Sequence, residues 1–447
     1  MRPAGVVAVP VAPLLTLVAV SLFGVKVAFV GLGAVVSCAP ATGAYVVLRR
    51  IAPSPVGLLL AALLLFGAAA GEAASWGGYP QLIGLGLVPV AVYLVDRALV
   101  SPRLSRAVAA GALLLALALS SDFVFALGAG AVATLLVVHV AERPREFGAV
   151  VRRAVLAAVP LLVAAPWYVQ LARARLGAVA QPAAVTRPDQ PNVWLRTEAV
   201  WFDAPTVWRA LTLAAVIGVL LLWSHRRDPV WRVGAALLLP SLVAVAVWPE
   251  TRLAYFLPTA VVLGAAVWAT AEDSGRSIAV PLLASAALIA QLAVFPSTSS
   301  LQQRRYQALT PELLRGIDWL RSQTPPNSTV VVTPLRTAPP LAWWIEGVAR
   351  RRTLAASSDA WVYFPVERRN AAKAARVLSA GVPTPATLAA ARRFRADFVF
   401  VDKGWSDYQS GRIASLKREL PGVVAFENRG VVILRTGTAV SMRTRSA

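Results

Sequence analysis

From the N-terminus to about Pro296 the chain consists of long apolar runs joined by short charged clusters; beyond Pro296 charges recur every few residues. A run of ~20 apolar residues is long enough to cross a bilayer as a helix, the form in which a single segment satisfies its own backbone in lipid. This alternation predicts about eleven transmembrane helices, over 4–22, 27–48, 56–73, 82–97, 104–121, 123–141, 153–170, 206–224, 231–248, 252–270 and 277–296. Composition agrees: 57% of residues are hydrophobic and 15% charged, against about 25% charged in a soluble domain. A wholly soluble globular protein is thereby excluded, disorder is excluded by the apolar content, and 32 Pro with 29 Gly exclude a coiled coil. The expected fold is a multi-pass α-helical membrane protein with a C-terminal extracytoplasmic α/β domain. Its domains are 1–296, a polytopic transmembrane domain, and 297–447, a water-facing domain, with PSTSSLQQRRYQ (296–307) as the polar exit from the bilayer.

Arginine placement sets the orientation. Alternate connections hold Arg49 and Arg50, then Arg97, Arg103 and Arg106, then Arg143, Arg145, Arg152 and Arg153, then Arg226, Arg227 and Arg232, then Arg276. The opposite connections, among them EAASWGGYPQ, SSD and WPETR, are far poorer in arginine. The basic side is read as cytoplasmic, so the N-terminus is inside and the C-terminal domain outside, in an inner or plasma membrane. MRPAGVVAVPVAPLLTLVAV has a charge and an apolar stretch but no A-x-A site, and reads as an uncleaved first span. One cysteine, Cys38, rules out a disulfide framework, and only two histidines, His139 and His225, argue against a zinc site.

In the C-terminal region Thr310-Pro311-Glu312 opens a helix, STVVVTP (328–334), RTLAA and ADFVFVDK (396–403) read as strands, and VVAFENRGVVILRT closes as a hairpin through Asn428-Arg429-Gly430. Helices alternating with buried strands predict a small α/β layer domain. It carries 23 Lys and Arg against 10 Asp and Glu. An outward basic surface beside a bilayer suits anionic head groups or polymers, or is simply solvated; nucleic acid is not an expected partner.

A charged group set against a bilayer is a functional candidate by default. Glu72 and Asp122 lie in short outer connections and are the candidate catalytic acids, able to serve as general base. Trp76, Tyr79, Gln81, Glu250, Arg252 and Tyr255 would line an outward cavity, with Arg252 the candidate for a carrier phosphate. Trp194 and Trp201 fall in a 35-residue outer connection (171–205) and suit stacking on sugar rings. The competing readings are hydrated helix ends, a Glu250–Arg252 pair across one turn, and an interfacial tryptophan belt. No metal ligands are assigned, and Mg²⁺ or Mn²⁺ stays open as a cofactor.

The segments GGYPQLIGLGLVPVAVYL (77–94), LALALSSDF (115–123), AAPWYVQLAR (164–173), PETRLAYFLPTAVVL (249–263) and LLRGIDWLRSQTPPNSTVVV (313–332) sit in a layout of short-looped helices and Trp-rich outer loops. That layout resembles the GT-C superfamily of membrane glycosyltransferases. The resemblance implies transfer of a sugar from a polyprenyl-phosphate donor, at the outer face, to a cell-envelope glycan, lipid or protein, with membrane lipid and the lipid-linked sugar as partners. It also implies a catalytic acid in the first large outer loop, whereas SLFGVK (21–26) has none. The sequence is therefore read as lacking an N-terminal helix pair with its acidic loop, or as a non-catalytic member, and no family catalytic residue is carried onto a number. The rival functions are a transporter or flippase of a lipid-linked substrate, which calls for ionisable groups at mid-depth and an internal repeat, and a non-catalytic envelope assembly protein.

Overall fold

The computed structural model describes residues 18–19, 21–22, 25–52, 54–67, 79–101, 103–169, 205–247, 255–270, 274–306, 309–333, 341–355, 365–379, 383–405 and 408–437. They fall into two compact units that divide between Arg305 and Tyr306.

The first unit is helical: α1 (Val25–Ser37), α2 (Ala39–Ile51), α3 (Ser54–Leu65), α4 (Tyr79–Val100), α5 (Leu104–Ala118), α6 (Asp122–Glu142), α7 (Phe147–Ala158), α8 (Pro205–Leu221), α9 (Pro229–Val247), α10 (Leu257–Ala265) and α11 (Ser274–Tyr306). Among the described residues four stretches are long and apolar enough to cross a membrane: Gly31–Ile51, Tyr79–Val100, Asp122–Glu142 and Pro229–Ala246. Several other expected spans form shorter or broken helices. The run expected as one helix over 153–170 is α7, a 3-10 stretch Val159–Val163 and a helical turn at 165–169. Pro160 accounts for the break, since it has no N–H to give to an α-helical ladder. At the C-terminal end the opposite holds. Pro296 does not stop α11, which runs on to Tyr306 and keeps the polar segment helical.

Helix α4 is the hub, packing on α2, α5, α6 and α9. Its contact with α2 depends on two glycines. A Cβ on Gly43 would fall 1.9 Å from the Gly86 carbonyl oxygen, and one on Gly86 would fall 2.6 Å from the Ala39 oxygen. Small residues let backbones meet where lipid leaves no hydrophobic drive between helices. Gly43→Val is therefore expected to force α2 and α4 apart, costing on the order of 1–3 kcal/mol or more. Gly31→Val, with open space around its Cβ, is the matched control; size-exclusion profiles in detergent should separate the two.

Buried polar side chains tie the bundle elsewhere. Gln291 on α11 is 0% exposed, and its amide, oriented by its surroundings, donates to the Leu63 oxygen (3.1 Å) and accepts from Trp208 Nε1 (2.9 Å). Trp208 is thus a core residue; Trp231 is likewise buried and donates to the Val219 oxygen at 2.9 Å.

The second unit is α/β: α12 (Pro311–Gln323), β1 (Thr329–Val332), α13 (Leu341–Trp344), β2 (Arg352–Ala355), α14 (Pro365–Leu378), α15 (Pro385–Arg393), β3 (Phe398–Asp402), α16 (Ser410–Glu419), β4 (Val424–Glu427) and β5 (Val431–Arg435). The sheet order is β2-β1-β3-β5-β4, with β1 parallel to β2 and β3, and β5 antiparallel to β3 and β4. Thr310 caps its helix as expected and Thr384 does the same for α15, accepting from Leu313 N and Thr387 N at 3.2 Å each. In the β4–β5 hairpin Asn428 Oδ1 accepts from Gly430 N (2.9 Å) and Val431 N (2.7 Å), which sets the turn.

One carboxylate of this unit supplies a pH test. Burial pushes the Glu427 carboxyl up, but Lys403 (2.8 Å) and Lys417 (2.6 Å) outweigh it and hold it below the usual carboxylate range. A depressed folded pKa stabilises above the unfolded value, about 4.3, and that stability is lost as pH falls through the folded value. The thermal-stability gap between wild type and Glu427→Gln should accordingly narrow below about pH 4.3. A gap that widens on acidification contradicts this. Asp402, raised by burial against its bond from Gly404 N, acts with the opposite sign and is common to both proteins.

Candidate functional site

Helices α4 and α6 run parallel and in register. Near their N-termini a Cβ on Gly84 would lie 3.0 Å from the Val124 side chain, and near their C-termini Asp96 bonds His139. Asp96 and His139 are each 17 positions beyond the first residue of their helix, about 25 Å at 1.5 Å per residue. The N-terminal ends therefore form one face of the bundle, where Tyr79, Gln81 and Asp122 lie. The C-terminal ends form another, with Arg97 and Arg143 at or just beyond them.

On the first face Asp122 is the opening residue of α6. Ser121 caps the helix, accepting from Val124 N at 3.3 Å, and Asp122 Oδ1 accepts from Phe123 N at 2.9 Å. The turn is braced by Tyr168, whose hydroxyl donates to the Ala118 oxygen at 2.9 Å and whose ring meets Phe125 at 5.4 Å. Gln81 Oε1, an acceptor, and Trp167 Nε1, a donor, are buried with no hydrogen-bond partner among the described residues. Groups orphaned in this way need a water or a ligand to complete them. The Tyr79 hydroxyl lies against Gly33, 3.1 Å from where a Cβ would stand. Tyr255 is 6% exposed and belongs to the apolar core. Glu72, Trp76, Trp194, Trp201, Glu250 and Arg252 lie outside the described residues. Of the sequence candidates, then, Tyr79, Gln81 and Asp122 share one end of the α4–α6 pair. Among the described residues no three His, Cys, Asp or Glu side chains assemble as a metal site.

The opposite face holds a cluster that sequence reasoning missed. Asp96 (0% exposed) receives His139 Nε2 at 2.9 Å, Arg232 Nε at 2.5 Å and Arg232 Nη2 at 3.1 Å. Arg232 also donates to the Arg227 carbonyl. By sequence Arg232 counts among the charges of a connection, and His139 is one of two histidines without a partner set for zinc. The available signal was depth: an acid and a histidine at the same position in two apolar helices.

No family model matches the chain, and no curated protein matches it. Solved structures do. The oligosaccharyltransferase of Archaeoglobus fulgidus in its apo form aligns at TM-score 0.55 and 13% identity, over 87% of this chain and 61% of that one. The same enzyme with Zn and sulfate aligns at 0.50 and 15% identity, over 87% and 58%. ArnT from Cupriavidus metallidurans, apo, aligns at 0.56 and 12% identity, over 95% of this chain and 86% of its own. The chain thus spans about three-fifths of the oligosaccharyltransferase. Both neighbours are GT-C superfamily membrane glycosyltransferases, and the fold of this chain is theirs.

Proposed function

We propose that this protein is an integral membrane glycosyltransferase that moves a sugar from a polyprenyl-phosphate carrier to a cell-envelope acceptor. The observation that carries the reading is the GT-C likeness extending over 95% of the chain. In this reading the arginine-rich helix ends are cytoplasmic and the Asp122 end faces outward, with the C-terminal unit outside the cell membrane. Asp122 accepts the proton of the acceptor hydroxyl as the acceptor oxygen bonds to the anomeric carbon and the carrier leaves as polyprenyl phosphate with the electron pair of the broken bond. Gln81 Oε1 and Trp167 Nε1 then find in sugar hydroxyls the partners they lack. Tyr79 borders the same site, while Trp76, Trp194, Trp201 and Glu250 contact the sugar or acceptor. Arg252 pairs with the carrier phosphate, and Glu72 is the second candidate acid.

A transporter calls for ionisable groups at mid-depth. The buried Asp96–His139–Arg232 cluster instead lies three or four residues from the ends of α4 and α6. Donor class provides the test. Proteoliposomes given sugars on polyprenyl phosphate should form a glycosylated product from extracted envelope material, and the same sugars on nucleotides should give none. Turnover of nucleotide sugars alone would overturn the reading.

A further inference from the structure

The C-terminal unit carries a cavity of about 480 Å³ between α16 and the β4–β5 hairpin, lined by Lys403, Tyr408, Ser410, Lys417, Glu427 and Arg429 over a floor that includes the buried Ile413. Residues 410, 413, 414 and 417 lie at i, i+3, i+4 and i+7, so one face of α16 forms a wall. A second cleft, of about 530 Å³, lies alongside and shares Lys417 and Glu427 with the first. It runs along β4, the edge strand of the sheet.

The charge in this trough is unbalanced. Glu427 is held between the ammonium groups of Lys403 and Lys417 at 2.8 and 2.6 Å, and Lys403 also donates to the Asn428 oxygen at 2.7 Å. Three cations line the first cavity against one carboxylate. Tyr408 and Ser410 line it as well, each carrying a hydroxyl.

We propose that this trough binds an acidic glycan strand. One carboxylate or phosphate of the strand sits among Lys403, Lys417 and Arg429, a hydroxylated ring rests against Tyr408, and the next unit continues into the cleft along β4. Two adjoining clefts with a shared wall suit an extended ligand better than a single ion. The resident Glu427 carboxylate competes with the ligand for the same two ammonium groups, which makes binding exchangeable and salt-sensitive. The proposal does not depend on the transfer reaction, because it concerns a binding site wholly within the C-terminal unit.

The test measures binding of fluorescent tetragalacturonate, with neutral cellotetraose and phosphatidylglycerol vesicles as separate arms, to the full-length protein in detergent or nanodiscs. Lys417→Gln with Arg429→Gln should weaken tetragalacturonate binding on the order of tenfold or more. Lys373→Gln with Arg376→Gln, which removes the same charge from the exposed side of α14, should leave it unchanged. Glu427→Gln should tighten binding several-fold, and thermal unfolding of each variant reports that it is folded. Equal loss from both double variants would reveal diffuse attraction to a basic surface and overturn the proposal. So would binding to phosphatidylglycerol vesicles that falls with the trough variant while tetragalacturonate binding does not, or cellotetraose bound as tightly as tetragalacturonate.

Discussion

Asp96→Leu is expected to destabilise the membrane unit by about 3–5 kcal/mol, the cost of leaving a buried charge without its partner. The carboxylate it removes is 0% exposed and is shared between His139 and Arg232, the latter 3% exposed. Three helices, α4, α6 and α9, meet on that one group. Removing Arg232 as well should recover most of the loss, because a buried pair replaced by apolar side chains is often close to neutral. Thermal unfolding of the detergent-solubilised protein should therefore rank wild type and Asp96→Leu/Arg232→Met together, with Asp96→Leu well below them. If the double variant is as unstable as the single one, the cluster matters for packing and not for charge.

Asp122→Asn is expected to lower glycosyl transfer about 10²–10⁴-fold, the usual contribution of a positioned general base. Asparagine retains an oxygen for the Phe123 N–H, so the start of α6 and the Ser121 cap should survive. The loss should fall on turnover, with donor binding little changed. Glu72→Gln is the parallel variant. Full activity in both would remove these two acids from the reaction and leave the other acids of the outer connections as candidates.

The parts of the fold that were legible in the sequence are those set by local rules. Thr310 precedes Pro and caps its helix, a short apolar β-branched run became β1, and Asn428-Arg429-Gly430 turned a hairpin. Span boundaries such as 82–97 and 123–141 came within three residues of α4 and α6, because apolar length governs them. Hydropathy alone could not distinguish a full span from the shorter α7 and α10, where Pro160 and a 3-10 stretch after Ala265 cut the helix. The contacts across the chain were the least legible. Asp96 meets His139 and Arg232 across 43 and 136 residues, and Gln291 reaches Trp208 only once the helices have packed. At the candidate site the sequence brought Tyr79, Gln81 and Asp122 forward from their connections. The orphaned acceptor on Gln81 could be read only from the packed structure.

Transfer itself is the most direct test. Purified protein in liposomes would be given a radiolabelled sugar on polyprenyl phosphate together with extracted envelope acceptor, and both the glycosylated product and the intact labelled lipid on each side of the bilayer would be counted. Labelled product should accumulate with wild type and collapse with Asp122→Asn, while the intact carrier stays on the side where it was supplied. Redistribution of intact lipid-linked sugar across the bilayer with no product formed would contradict it.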